Sequence, residues 1–291
     1  MFSIIIPSWN NLAFLKLCIA SIRKHSVYPH EIIVHINEGS DGTLEWVKSE
    51  KDLIYTFSPQ NSGVCYAVNQ AASFATKEYI VFMNDDMFCC PNWDKALLDT
   101  IQQLNTACFL LSSNMIEPMG RETGATLVRN FGTQPAEFQE EKLLNSLACL
   151  PTQDYYGTAQ PTILHRDWWF KVGGYSVEFT PGMGSDNDLC MKMWFSGCRI
   201  FRIVGNSLVY HFGQKSTLRI KKNNSRLKFM QKWGISTSML NRYYLRFNKL
   251  ANDWVLPEPD LNFSYYFNLI RIRLILATHA LNFFKNYSSD S

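Results

Sequence analysis

The chain has no uninterrupted apolar run of the roughly eighteen residues that a membrane-spanning helix needs; its longest apolar stretch, Phe263 to Phe284, is broken by Asn268, Arg271, Arg273, His279 and Asn282. No transmembrane span is expected. None of the eight cysteines forms a C-x-x-C pair, and Met1 to Ile6 is too short and lacks the basic start of a secretory leader. A disulfide-stapled secreted scaffold is not expected, and a reducing, cytoplasmic compartment is. Charge is also scarce. Charged residues make up 18% of the chain and the formal balance is +3, too mild for a dedicated nucleic-acid binder. There is no internal repeat.

Apolar residues (46%) and aromatic residues (14%) are plentiful, enough to bury a sizeable core and to exclude wholesale disorder. A length of 291 residues fits one large domain or one domain with an appendage. The charge is unevenly placed: up to Gln214 there are 15 Lys plus Arg against 21 Asp plus Glu, a net of −6, and from Lys215 onward 13 against 4, a net of +9. An acidic body with a basic tail points to an anionic partner near the C-terminal end.

Strand and helix patterns alternate from the start. Ser3 to Ile6 reads as a buried strand stopped by Pro7, and Leu12, Leu15, Ile19 and Ile22 recur at helical spacing. Glu31 to Ile36, Leu53 to Phe57 and Tyr79 to Met83 read as further strands, with helices predicted over Leu44 to Val47 and Val64 to Ala71. Such alternation implies an α/β fold, a Rossmann-like and mostly parallel sheet flanked by helices. Ligands then bind beyond the carboxyl ends of the strands, which here carry Ser8-Trp9-Asn10, Asn37 to Asp41, Gln60-Asn61 and Asn84-Asp85-Asp86. Later, Ala107 to Leu111, Thr162 to Leu164, Arg199 to Val204 and Leu208 to Tyr210 read as strands, Glu117 to Leu150 as an irregular excursion, and the part after Lys215 as helical.

Asn84-Asp85-Asp86 places two carboxylates where a buried strand emerges. Adjacent anions repel, and a hard divalent cation shared with a substrate diphosphate relieves that repulsion; a solvated turn is the plainer reading. Gly184 to Leu189 reads as a helix start with acids in its first turn, where Ser185 or Asp186 acts as N-cap. A carboxylate there also stays ionised, as a base must. His211 follows a short strand among aromatics and reads more readily as a structural histidine than as a ligand. Trp168 and Trp169 are either core residues or a stacking platform for an acceptor sugar.

Taken in order, these segments resemble the family 2 glycosyltransferases, inverting enzymes of the GT-A fold, over residues 1–216. Ser3-Ile4-Ile5-Ile6-Pro7-Ser8-Trp9-Asn10 looks like the opening strand with its Pro-Thr-Tyr-Asn end. Glu31-Ile32-Ile33-Val34 through Gly42-Thr43 looks like the second strand and acidic turn, and Asn61-x-Gly63 through Asn69 like the Asn-x-Gly helix. Tyr79 to Asp86 matches the strand carrying D-x-D, with Asn84 in place of the first Asp. Gly173-Gly174-Tyr175 and Gly184-Ser185-Asp186-Asn187-Asp188-Leu189 look like the Gly-Gly-Phe and Gly-Glu-Asp-x-Asp-Leu pair, with Ser185 in place of Glu. Lys232-Trp233-Gly234 is similar to a motif found after the catalytic domain.

The resemblance implies a division into a catalytic domain over residues 1–216, with a nucleotide-binding half (1–100) and an acceptor-binding half (101–216), and a basic, aromatic helical extension over 217–291. It implies transfer of a sugar from a UDP-, dTDP- or GDP-sugar to an acceptor hydroxyl of a glycan or lipid-linked acceptor, in surface polysaccharide or glycan synthesis. Asp86 and His211 are the implied ligands of Mn²⁺ or Mg²⁺, and Asp186 the implied base, with Asp188 as the alternative. Pro7, Ser8, Trp9, Asn37, Glu38, Asn61, Asn69, Asn84 and Asp85 are the implied nucleotide-sugar contacts, and Trp168 and Trp169 the acceptor contacts. A nucleotide-sugar binding module without turnover is the alternative, prompted by Asn84 and Ser185. The tail either docks on its own protein or meets an anionic membrane surface at the inner face of the membrane; homo-oligomer formation is a further candidate.

Overall fold

The computed structural model describes residues 1–213 and 223–289, with side chains described as far as Leu281. The expected domain boundary at 216/217, and the basic residues Arg219, Lys221 and Lys222, lie outside the described residues. The strands are β1 (Phe2–Trp9), β2 (Glu31–Asn37), β3 (Leu53–Ser58), β4 (Tyr79–Phe82), β5 (Met87–Cys89), β6 (Leu110–Glu117), β7 (Thr126–Val128), β8 (Tyr155–Tyr156), β9 (Thr162–His165) and β10 (Phe201–His211). The helices are α1 (Leu12–His25), α2 (Thr43–Ser49), α3 (Val64–Ala72), α4 (Trp93–Gln102), α5 (Glu140–Ser146), α6 (Arg166–Lys171), α7 (Ser185–Phe195), α8 (Ser225–Trp233), α9 (Thr237–Met239) and α10 (Phe263–Ser289).

One mixed sheet runs β3-β2-β1-β4-β9-β6-β10-β5, with β7 beside β6 and β8 beside β10. The β3-β2-β1-β4 half is parallel, β9 enters antiparallel, and β6 and β10 are parallel to each other. This is the α/β class that the alternation predicts. Ile4, Ile5 and Ile6 have no exposed surface, as expected of a strand covered on both faces.

Three expectations need correction. Pro7 does not stop β1, which continues to Trp9. Its last pair with β4 is Ile5 with Phe82, and Met83 then donates to the Ile5 carbonyl. The missing N–H of Pro7 points to that same side, past the end of β4, where no ladder partner is lost. The two late strands predicted from Arg199 to Tyr210 are one strand, β10, with a register shift between Val204 and Leu208 against β6. The predicted irregular stretch from Glu117 contains β7 and α5.

The C-terminal helices share a core with the sheet-covering helices: Phe229, Ile235, Met239, Leu240, Tyr265 and Ile272 belong to the apolar cluster that includes Trp169, Tyr175 and Trp194. Among the described residues no helix is long and apolar enough to cross a membrane.

Candidate active site

The carboxyl ends of β1, β2 and β4 lie side by side, with Trp9 opposite Asn37 and Ile5 opposite Phe82. The chain leaves these ends through polar turns that grip one another. Ser8 Oγ donates to Asp85 Oδ2 at 2.7 Å and Asn11 Nδ2 to Asp85 Oδ1 at 3.0 Å, so both oxygens of Asp85 are held from the β1 turn. Asn10 and Glu38 both take left-handed backbone angles, φ +47° and +63°, and Asn10 Nδ2 donates to Glu38 Oε2 at 3.0 Å. Asn37 is buried and its Oδ1 accepts from the Ser62 N–H and hydroxyl. Asn61 Oδ1 accepts the Gly63 N–H, an Asx turn that precedes α3. Pro7, Ser8, Trp9, Asn37, Glu38, Asn61, Asn84 and Asp85 therefore border one end of the sheet. Asn69 lies farther along α3, where it donates to the Tyr175 carbonyl and accepts the Tyr175 N–H, at 2.7 and 2.8 Å.

Asp86 and His211 meet through strand pairing. Antiparallel β5 sets Met87 opposite His211, and the Phe212 N–H donates to the Asp86 carbonyl at 3.0 Å. His211 Nε2 then lies 3.3 Å from Asp86 Oδ1, and its Nδ1 lies 2.7 Å from Glu117 Oε1 at the end of β6. Burial pulls the imidazole pKa down, and the carboxylates of Asp86 and Glu117 reverse this, leaving it raised to about 10. Among the described residues no group of three or more His, Cys, Asp or Glu takes a metal-holding arrangement. The donor set still suits a cation that takes oxygen and nitrogen ligands: a carboxylate and an imidazole face each other, and Glu117 fixes the second ring nitrogen as a carboxylate commonly does behind a metal-bound histidine.

Asp186 sits in the first turn of α7. Its N-cap is Gly184, in the left-handed region at φ +89°, so neither Ser185 nor Asp186 is the cap that the sequence suggested. Tyr175 Oη donates to Asp186 Oδ1 at 2.5 Å and Gln160 Nε2 donates to the same oxygen at 3.3 Å. Asp186 keeps solvent contact, yet the protein packed around it raises its pKa above the ordinary aspartate value, while the Tyr175 and Gln160 donors pull it back. Gln160 precedes β9, whose first residue Thr162 pairs with Phe82 at the end of β4. The Tyr175 ring packs edge-on against Phe82 at 5.5 Å. Asp186 thus lies over the same sheet end from which Asp85 and Asp86 emerge.

Tyr175 is itself tightly placed. Gly174 has φ +57°, and a Cβ there would come within 2.4 Å of the Asn69 amide that clamps Tyr175, so glycine is required by both conformation and space. Asp188, two residues after Asp186, has no exposed surface. Its carboxylate accepts from Ser176 Oγ at 2.6 Å and Trp233 Nε1 at 2.8 Å, and pairs with Lys232 at 2.8 Å and Lys192 at 3.7 Å. Trp169 is 2% exposed and packs against Tyr175, its faces taken up by protein; Trp168 is half-buried, with Lys171 Nζ 4.0 Å from its ring centre.

Residues 3–156 match glycosyl transferase family 2. The chain belongs to this family. Similar proteins include the chondroitin synthase of Pasteurella multocida, 26% identical over 149 residues that make up 50% of this chain and 15% of that protein. The chondroitin synthase of Escherichia coli is 22% identical over 236 residues, 72% of this chain and 34% of that one. The chain spans well under half the length of these curated relatives. Two solved structures show the GT-A fold. Residues 1–349 of S. aureus TarS in complex with UDP-GlcNAc superpose with a TM-score of 0.59 at 16% identity, covering 82% of this chain and 66% of that one. The mannosyltransferase PcManGT from Pyrobaculum calidifontis, with GDP-Man and Mn²⁺, gives 0.54 at 17% identity, covering 96% and 75%.

In this family 2 chain, sequence reasoning missed Glu117, Asn11 and Gln160 and read Asn10 and Tyr175 only as parts of motifs. Glu117 was hidden because Ser112, Ser113 and Asn114 interrupt the apolar pattern, so the strand predicted to end at Leu111 runs on to Glu117 as β6. Gln160 carries no local signal; only the β9–β4 pairing brings it to Asp186.

Proposed function

We propose that this protein is an inverting glycosyltransferase that moves a sugar from a nucleoside-diphosphate sugar to an acceptor hydroxyl in glycan or polysaccharide synthesis, with Asp186 as general base. The observation that carries the reading is the state of the Asp186 carboxylate. Among the described residues both of its hydrogen bonds end on Oδ1, and none of those residues occupies Oδ2, the oxygen that would take a proton from an incoming alcohol. Asp188 has no such oxygen, since four donors surround it. Asp85 and Asp86, with Asn37, Glu38 and the β1 turn, would hold the nucleotide and its diphosphate beyond the strand ends. Similar folds that hold UDP-GlcNAc, or GDP-Man with Mn²⁺, support a nucleotide-sugar donor.

Asp86 and His211 would hold a divalent cation, Mn²⁺ or Mg²⁺. When bound, such a cation supplies Lewis-acid neutralisation of the charge that grows on the departing diphosphate. Glu117 keeps His211 in the orientation that offers Nε2 toward Asp86. No covalent nucleophile is needed: Asp186 takes the proton of the attacking hydroxyl, and attack opposite the leaving group inverts the anomeric carbon.

A thermal-shift panel of UDP, GDP and dTDP, each with and without Mn²⁺, tests donor binding; a nucleotide at a hundredfold excess over its Kd adds about 2.7 kcal/mol of stability. Asp86→Ala is expected to lose the Mn²⁺-dependent part of that gain and to keep the metal-free part. Equal Mn²⁺ dependence in the variant would remove Asp86 from the metal site. Incubation of the wild type with donor and Mn²⁺ separates the two functions: nucleotide binding with neither transfer nor donor hydrolysis would favour the binding module without turnover.

Tyr175→Phe is expected to shift the pH profile. The Tyr175 hydrogen bond favours the ionised carboxylate and so lowers the Asp186 pKa; deleting it raises that pKa further. The acidic limb of kcat against pH should therefore move to higher pH, with the loss largest at low pH and recovered at high pH. An unmoved limb with a uniformly lower kcat would mean that Tyr175 acts only through packing.

A further inference from the structure

The last helix has two apolar faces, and the fold uses one of them. Tyr265 and Ile272 are buried against the body of the protein, Leu269 and Leu276 pack on the same cluster, and Tyr265 Oη bonds Tyr244 Oη at 2.8 Å. At about 100° per residue these four lie together on one side of α10. The opposite side carries Phe263 (86% exposed), Phe267 (60%), Ile270 (57%), Leu274 (63%) and Leu281 (62%), a continuous stripe that nothing in the chain covers among the described residues. A helix that is apolar on both sides is expected to be covered on both.

The charges beside the stripe select what covers it. Arg271 and Arg273, both exposed, project roughly 70° to 90° to either side of its centre. No acidic residue occurs from Leu261 to Leu281. A second copy of this helix would set these arginines against one another with no carboxylate to pair them, which opposes self-association. A membrane surface accepts the same pattern: apolar side chains enter the acyl boundary while flanking arginines reach anionic headgroups, with exposed Tyr266 beside them at the interface. The helix is not apolar enough to cross the bilayer, so it would lie in the surface plane. We infer that the outer face of α10, the Phe263-Phe267-Ile270-Leu274-Leu281 stripe between Arg271 and Arg273, docks this protein on an anionic membrane surface. The inner face meanwhile holds the helix to the body, so that docking brings the whole domain to the lipid.

The test is co-sedimentation of the full chain with vesicles of phosphatidylcholine alone or with about 30% phosphatidylglycerol, an anionic fraction large enough to give the surface a negative potential. The expected result is pelleting with the anionic vesicles only, weakened by salt. Phe267→Ser with Leu274→Ser should lower the partition coefficient at least about tenfold, and Arg271→Gln or Arg273→Gln about fivefold each. Thermal unfolding and activity on a soluble acceptor should stay at wild-type values in all of these variants, because the inner face and the site are untouched. Absence of pelleting, equal binding to neutral vesicles, or undiminished binding by the double serine variant would overturn the inference. So would a stable dimer in sedimentation equilibrium that the double variant disperses, since that would assign the stripe to a second copy.

Discussion

Asp186→Asn is expected to lower kcat by about 10²- to 10⁴-fold, the usual contribution of a positioned general base, with the midpoint of thermal unfolding and the nucleotide-induced thermal shift unchanged. The amide is nearly isosteric, and its oxygen can still accept from Tyr175 and Gln160, so the fold around the site has no reason to move. What it loses is the basic lone pair on Oδ2. Transfer and donor hydrolysis should be followed together. If the variant retains wild-type transfer, proton removal does not pass through this carboxylate, and the base must be sought elsewhere at the sheet end. If hydrolysis and transfer fall together, water and the acceptor use the same oxygen.

Asp188→Ala is expected to act on stability rather than on chemistry. The Asp188 side chain is wholly buried, while Lys192 and Lys232, its two cationic partners, are 14% and 29% exposed. Its carboxylate joins the start of α7 to the end of α8 through Trp233 and Lys232, and to the Ser176 turn that follows Tyr175. Removing it leaves the Ser176 and Trp233 donors unpaired and Lys192 without its carboxylate, while Lys232 keeps Glu178 at 2.8 Å, a loss toward the lower end of the about 3–5 kcal/mol seen when one partner of a buried pair is deleted. Urea unfolding checks this. A midpoint equal to that of the wild type would show that both lysines reach water without cost. The contrast with Asp186→Asn is diagnostic, because two acids two positions apart in one helix then separate into a kinetic effect and a stability effect.

This separation was not legible in the sequence. Gly184 to Leu189 shows two acids in a helix start, and helical geometry alone places them about 200° apart around the axis without saying which one faces the crevice. The answer depends on Trp233, Lys232 and Ser176, which approach from a later helix and an earlier turn. The strand-end positions, by contrast, were legible. An apolar run ending in Asn84-Asp85-Asp86, or in Ser8-Trp9-Asn10, signals a strand emerging from the core, and in an α/β sheet that emergence is where ligands meet the protein. Asn69 shows the limit of reading a motif as a contact. It stands in the expected Asn-x-Gly helix, and its amide is spent on the backbone of Tyr175, over a hundred positions later in the chain.

The amino-acid order by itself determined the α/β class, the parallel half of the sheet and the polar turns at its carboxyl edge, because these follow from periodicity and from short-range backbone preference. Only tertiary structure decided that His211 stands between Asp86 and Glu117, that Tyr175 and Gln160 hold one oxygen of Asp186, and that α10 spends one apolar face on the body while the other is covered by none of the described residues. Those relations join segments from 11 to more than a hundred positions apart. They are settled by sheet order and packing, which no local pattern encodes.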